Sequence, residues 1–335
     1  MKILFDHPNP FLLAHGGFQI QIEQTKSALE QIGVETEYLR WWDDQQRGDI
    51  IHYFGRPSTT YIQLARQKNL KVIIAPLLSG LGSRSKTARY FQKLVMAGFK
   101  ASLPRMVLEH FNWDAFHLAD ACVALTPWEA QLMAEMFEAN PEKIKAVPNG
   151  VELDFLESAP RQRGKWLVCA ATIAARKRVF ELAQAALSAN TPLHIIGKAY
   201  SDLDVYAQQF FALSQQNPEL IRYEGAVHDR AELARIYREA RGFVLLSNME
   251  SLSLSALEAA ACGCPLLLSD LPWARSVFKE TASYCPVTKS VNATAKVLRR
   301  FYDNCPKLPV PPRPKTWKDI AEQLKKVYEA VLKTS

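Results

Sequence analysis

The sequence predicts an α/β protein made of two doubly wound units, and three observations carry that prediction. Short apolar runs alternate with helix-like segments along the chain, the pattern of mostly parallel sheets covered by helices on both faces. The alternation stops at a polar, basic stretch, RQRGK, after Pro160, and restarts with KWLVCAATI. The 335 residues are enough for two domains of ordinary size. The expected division is 1–158 together with a returning helix at 316–335, and 159–312.

The elements follow in order. KILF is a short strand, and the loop DHPNPFLLAHGG after it ends in Gly16–Gly17. A helix is expected over Phe18 to Ile32, with Ile20, Ala28, Leu29 and Ile32 on one apolar face, stopped by Gly33. VETEYLRW, DIIHYFG and KVIIAPLL read as strands, the last two separated by a helix over Thr59 to Gln67. A long helical region is expected from Ser85 to Asn112. ACVAL is a further strand, and Thr126–Pro127 opens another helix. KIKAVPNGVELDFL ends the unit, with Pro148-Asn149-Gly150 as a turn.

In the second unit KWLVCAATI, PLHIIGK and LIRYEGAV are strands. Helices are expected over Val179 to Ala189, Asp202 to Gln216 and Arg230 to Ala240. FVLL then leads through a loop carrying Glu250 into a helix carrying Glu258, a Gly-Cys-Pro stop and another apolar strand. CPKLPVPPRP reads as an extended linker. Thr316 caps a last helix, whose Trp317, Ile320, Ala321, Leu324, Val327, Tyr328 and Val331 form an apolar stripe that must dock.

Composition narrows the function. With 48% hydrophobic and 22% charged residues the chain is globular rather than disordered. No run reaches the roughly 20 apolar residues of a membrane span. The N-terminus lacks the apolar core of a secretory signal, so a cytoplasmic location is expected. The six cysteines show no zinc-binding spacing and read as small buried hydrophobes. A net charge of +7 admits an anionic partner without choosing one. No nucleic-acid module is present.

Glu250 and Glu258 are the leading site candidates. Glu250 follows the C-terminal end of a strand, where ligands of open α/β sheets bind. The helix start at Leu252, Ser253 and Leu254 offers backbone N–H groups and the positive end of the dipole to an anion. Such a crevice suits a polyhydroxylated ligand that also carries phosphate. The plain alternatives are a solvated loop acid for Glu250 and a helix-stabilising acid for Glu258. Arg176, Lys177 and Arg178 lie between a strand and a helix, where they could neutralise a diphosphate or form a solvated basic turn. Gly16–Gly17 could bring backbone N–H groups close to a phosphate, and His15 beside them could act on the acceptor side.

Several of these motifs together resemble the retaining nucleotide-sugar glycosyltransferases of the GT-B fold (glycosyltransferase family 4-like, glycosyl transferases group 1). They are Gly16–Gly17, VPNGVE, the cluster after KWLVCAATI, IIGK, YEGAV, Glu250 to Glu258 with GCP behind it, and TWKDIAEQLKKVYEAVL. The resemblance implies two Rossmann-like domains facing across a cleft, the first for the acceptor and the second for the donor, with the last helix crossing back onto the first. It implies that Glu250 contacts the donor sugar, that Glu258 holds the ribose hydroxyls, and that Lys177 meets the diphosphate. Many relatives carry an Arg, four residues, then Lys-Gly. Here Thr172 stands at the Arg position and Arg178 at the Gly position. Many also carry a His after the fourth strand, where this chain has Ser79 and Gly80, so the transferred sugar stays open.

The implied mechanism is a front-face displacement. It needs no protein nucleophile and no cofactor, and with no Asp-x-Asp motif in the expected place, no metal. A hexose-type sugar would pass from a nucleotide diphosphate sugar to a saccharide or lipid-linked acceptor in cell-envelope glycan or glycolipid synthesis. A GT-B sugar-nucleotide epimerase and a catalytically silent sugar-nucleotide-binding subunit remain alternatives. A nicotinamide-dependent oxidoreductase is disfavoured, since no G-x-G-x-x-G follows either first strand. Between residues 84 and 106, Arg84, Lys86, Arg89, Lys93, Lys100 and Arg105 interleave with apolar residues and no acid. This stretch either meets an anionic membrane surface or packs its apolar stripe internally.

Overall fold

A computed structural model describes residues 1–8, 10–11, 16–157 and 162–334. The chain divides into unit 1, Met1–Asn149 with Trp317–Ser335, and unit 2, Gly150–Thr316. The chain passes from one to the other at the Pro148-Asn149-Gly150 turn, ahead of the polar stretch after Pro160. Val151 belongs with unit 2 because its N–H bonds the carbonyl of Lys315 at 3.0 Å.

Unit 1 contains β1 Lys2–Asp6, α1 Gly17–Gln31, β2 Glu35–Tyr38, β3 Ile50–Tyr53, α2 Thr59–Gln67 and β4 Lys71–Ile74. It continues with α3 Ser79–Gly82, α4 Lys86–Ser102, α5 Arg105–Glu109, α6 Ala115–Leu118, β5 Ala121–Ala124, α7 Pro127–Phe137 and β6 Ile144–Ala146. Among the described residues its sheet has six strands in the order β2-β1-β3-β4-β5-β6, all pairs parallel. The inner strands β1, β3, β4 and β5 are largely apolar and buried because helices cover both faces, whereas the edge strands β2 and β6 carry exposed polar residues.

The last helix of the chain completes this unit (Trp317–Lys333, numbered α15 below). It buries the seven residues of its apolar stripe and packs on α1. Each fully buried large side chain contributes roughly 1.5–3 kcal/mol. The Tyr328 hydroxyl meets His52 Nδ1 of β3 at 2.7 Å, so a stripe legible in the sequence ends in a specific polar contact.

Unit 2 contains α8 Leu153–Leu156, β7 Leu167–Ala170, α9 Val179–Ser188, β8 Leu193–Ile196, α10 Val205–Gln216 and β9 Ile221–Tyr223. It continues with α11 Arg230–Glu239, β10 Gly242–Leu245, α12 Leu254–Ala261, β11 Leu266–Ser269, α13 Pro272–Phe278, β12 Ser283–Cys285 and α14 Val291–Asn304. Its six described strands run β12-β11-β10-β7-β8-β9, again all parallel. The order reverses between β7 and β10, and a crevice opens beyond the strand ends at such a reversal.

One expectation is corrected. The helical region from Ser85 to Asn112 is not continuous: α4 stops at Leu103, whose backbone is extended (φ −94°, ψ 144°). The cause is Pro104, which disfavours the helical region for the residue before it. The internal-packing reading of this region does not hold either. Among its residues α4 buries only Arg89 and Met96, while Phe91 is 68% and Leu94 52% exposed. Arg89 turns inward over the Trp128 ring, 4.5 Å from its centroid. Among the described residues, no helix is long and apolar enough to cross a membrane.

Candidate active site

The site is built at the β7/β10 reversal. β7 and β10 pair directly, Gly242 with Leu167 and Phe243 with Val168, so their exit loops emerge side by side. The loop after β7 carries the basic cluster and the loop after β10 carries Glu250. Two contacts join them. The N–H of Asn248 donates to the carbonyl of Arg176 at 2.8 Å, and the ammonium of Lys177 donates to Glu250 Oε1. Both side chains of that ion pair are mostly buried.

The three basic residues part company. Arg176 is exposed, and its guanidinium reaches the hydroxyl of Tyr200 at 3.3 Å. Lys177 faces Glu250. Arg178 is buried, and its guanidinium is spent on the carbonyl of Thr288. The backbone of Arg178 is left-handed (φ 54°, ψ 37°), a conformation glycine adopts without cost and other residues do not. The position that carries Gly in the resembling pattern therefore keeps a glycine-like backbone here, and the Arg178 side chain offsets the strain with a partly buried bond.

Glu258 sits one turn into α12 and is 5% exposed. Arg230 pairs with its Oε1 and also with Glu152, through Nε to Oε1 at 2.9 Å. The Tyr237 hydroxyl lies 3.3 Å from Glu258 Oε2. Burial pushes the carboxyl of Glu258 up, and Arg230 opposes that shift. The guanidinium of Arg230 also lies over the Phe155 ring, 4.8 Å from its centroid.

The start of α12 is close-packed. Leu252, Ser253 and Leu254 are buried, and the Ser253 hydroxyl caps the helix by accepting from the N–H of Ala256 at 3.3 Å. Two residues that sequence reasoning missed stand beside it. Among the described residues the buried hydroxyls of Ser247 and Ser251 have no hydrogen-bond partner. A buried polar atom left unmatched is a cost that a ligand can remove. The available signal was their position, since both flank Glu250 in the same strand-exit loop.

The ends of β7, β8 and β9 are laced around Gly197. Its N–H donates to the carbonyl of Gly225 at 2.7 Å, and its carbonyl accepts from the Tyr223 hydroxyl at 3.0 Å. A Cβ at Gly197 would lie 2.0 Å from the carbonyl oxygen of Ala171. The IIGK and YEGAV motifs thus set how closely the strand exits can approach.

Gly16 and Gly17 belong to unit 1. Gly16 (φ 135°) is the N-cap of α1, and its carbonyl accepts from the N–H of Ile20 at 3.1 Å. His15 lies outside the described residues.

Comparison with known proteins agrees with this architecture. Residues 152–329, just over half of the chain, match the family model described as glycosyl transferases group 1. The D-inositol 3-phosphate glycosyltransferase of an Arthrobacter species is 24% identical over 323 residues, covering 89% of this chain and 74% of its own. Sucrose-phosphate synthase of Thermosynechococcus elongatus superposes with a TM-score of 0.70 at 17% identity, covering 100% of both chains. The Anabaena protein HepE, solved in complex with UDP, gives 0.67 at 12% identity, covering 100% of this chain and 99% of its own. The structural likeness is one of fold, and the fold is GT-B.

Proposed function

Because the chain belongs to the glycosyl transferases group 1 family, we propose that it moves a hexose-type sugar, with retention of configuration, from a nucleotide diphosphate sugar to an acceptor hydroxyl. The observation that carries this reading is the pairing of Lys177 with Glu250 at the β7/β10 reversal, beside two unmatched serine hydroxyls. A diphosphate would compete with Glu250 for the Lys177 ammonium, and Arg176 stands on the same turn. Glu250, released, would accept hydrogen bonds from sugar hydroxyls, with Ser247 and Ser251 supplying further partners. Glu258, held by Arg230, would orient the ribose end.

In this reading the bond from the sugar's anomeric carbon to the diphosphate oxygen breaks as the acceptor oxygen bonds the same face. The acceptor proton passes to the departing diphosphate. Lys177 and Arg176 stabilise the negative charge growing on the leaving group, so no divalent ion is required. Unit 2 carries the donor residues and unit 1 takes the acceptor, in cell-envelope glycan or glycolipid synthesis. The solvent-facing Phe91 and Leu94 of α4, interleaved with Lys86 and Lys93, favour an anionic lipid surface as the setting.

The test is a thermal-shift screen with UDP-, GDP- and ADP-sugars, since a ligand that binds only the native state raises its melting temperature. One donor should stabilise the protein, and Lys177→Ala should abolish that shift. Absence of a shift with every donor would sink the reading.

A further inference from the structure

The exit loops of β3 and β4 open onto a cleft of about 630 Å³ within unit 1, walled on another side by α4. That volume falls in the range of small-molecule sites, and the ends of neighbouring parallel strands are where such sites form. Arg56 and Arg84 line the cleft, and no carboxylate does. Neither guanidinium has an ion-pair partner among the described residues. Arg84 Nη1 donates to Gln92 Oε1 at 2.6 Å, which leaves its other N–H groups for a ligand. The Arg56 guanidinium lies over the Phe137 ring, 5.8 Å from its centroid.

The wall behind them is held in a costly shape. Leu77, just past the end of β4, has φ 50°, and Asn112 has φ 52°. A leucine in the left-handed region is strained by ~1 kcal/mol or more and persists only where its surroundings fix it. Here the buried carboxylate of Glu129 accepts the N–H of Leu78 at 2.5 Å and that of Leu125 at 2.8 Å, tying this loop to the start of α7. Asn112 Nδ2 donates to the carbonyl of Arg56 at 3.2 Å, which fixes the other loop. The remaining surface is apolar. Val95, Met96 and Phe99 come from α4, and Phe111 stacks on Trp113 with ring centroids 4.7 Å apart.

We propose that this cleft is the acceptor subsite, and that the acceptor carries a phosphate group held by Arg56 and Arg84 with its uncharged body against Phe99, Phe111 and Trp113. Two unneutralised guanidiniums suit the several oxygens and double charge of a phosphate, whereas a carboxylate is satisfied by one. The proposal rests on the glycosyltransferase reading for the word acceptor, but not for the binding itself. The phosphate belongs either to a free sugar phosphate or to a lipid-linked one, and the two sources present the same group to the arginines.

The test measures equilibrium binding to the whole protein in two arms. The free arm compares glucose 6-phosphate with glucose. The lipid arm compares phosphatidylcholine vesicles with and without undecaprenyl phosphate. In one arm the phosphorylated probe should bind at least tenfold more tightly, and that arm identifies the source. Arg56→Gln with Arg84→Gln should erase the preference, while Lys318→Gln with Lys326→Gln on the exposed face of α15 should keep it. Equal binding of phosphorylated and plain probes in both arms overturns the proposal, as does a double arginine variant that retains the preference. Thermal midpoints confirm that the variants fold, and either single arginine variant replaces a double variant that does not. UDP affinity on the same proteins separates the two readings. Loss of nucleotide binding with an intact phosphate preference counts against the donor assignment, not against the cleft.

Discussion

Lys177 donates its ammonium proton to Glu250 Oε1 although 73 residues separate them in the chain. The contact joins the exit loops of two adjacent parallel strands, where the proposed function puts the donor. Lys177→Ala and Glu250→Ala should each lower kcat/KM by at least ~100-fold, the loss typical of removing one transition-state contact. The double variant should fall by less than the product of the two, because the pair acts as a unit. Near-normal turnover in both single variants, measured with the donor found by thermal shift, removes the assignment.

Gly197→Ala should be among the most damaging single changes in unit 2. Its Cβ would sit 2.0 Å from the carbonyl oxygen of Ala171, backbone that cannot step aside, at a φ of 142° that alanine resists. A loss of at least ~3 kcal/mol is expected from denaturant unfolding, since backbone strain and overpacking act together. A loss below ~1 kcal/mol would contradict the close approach of the β7 and β8 exits.

At Arg178 the usual ranking of alanine above glycine should reverse. Arg178→Ala loses the bond to Thr288 and keeps the left-handed strain, whereas Arg178→Gly loses the bond but relieves the strain. Arg178→Gly should therefore be more stable than Arg178→Ala by ~1 kcal/mol. Urea midpoints of the two variants decide the order, and equal or inverted stabilities refute it.

Acidification should weaken the protein through His52. Burial lowers its pKa to about 3, so the folded state keeps the imidazole neutral while the unfolded chain protonates it near the ordinary value. The contribution is complete above pH ~6.5 and is lost as pH falls from there toward 3, by up to ~1.4 kcal/mol per unit. From pH 7 to pH 5 roughly 2 kcal/mol of stability should disappear. Buried His194, also shifted down by burial with Glu224 opposing, acts in the same direction. In His52→Asn the pH slope of the unfolding free energy should flatten. An unchanged slope would assign the acid sensitivity elsewhere.

Transfer should survive chelation. If Lys177 and Arg176 meet the leaving diphosphate as proposed, EDTA should leave the rate within about twofold of its untreated value, against the losses of ~100-fold expected for a deleted charge-stabilising group. A strong fall restored by added Mg²⁺ or Mn²⁺ would show that a metal shares that task.

Much of the fold was legible because its signals are local. The α2 bounds, the Thr126–Pro127 start of α7 and the seven buried residues of α15 follow from caps and periodicity, which neighbouring residues settle among themselves. The break at Pro104 was equally local and was overlooked, while the apolar residues of α4 left two readings open because periodicity shows an apolar face without showing what covers it. At the site, Glu250, Glu258 and the cluster at 176–178 were visible as residue types at strand exits.

Amino-acid order by itself thus determined which side chains stand on which loops. Tertiary structure alone decided that β10 lies against β7, because strand order depends on non-local pairing that no window of sequence contains. That one adjacency brings Lys177 to Glu250. The same long-range packing turns Arg178 inward to Thr288, seals Glu258 under Arg230, and leaves Arg56 and Arg84 on a shared cleft without a carboxylate between them. Like residues, indistinguishable in sequence as basic or acidic, acquired separate tasks from burial and from which partner came within hydrogen-bond reach.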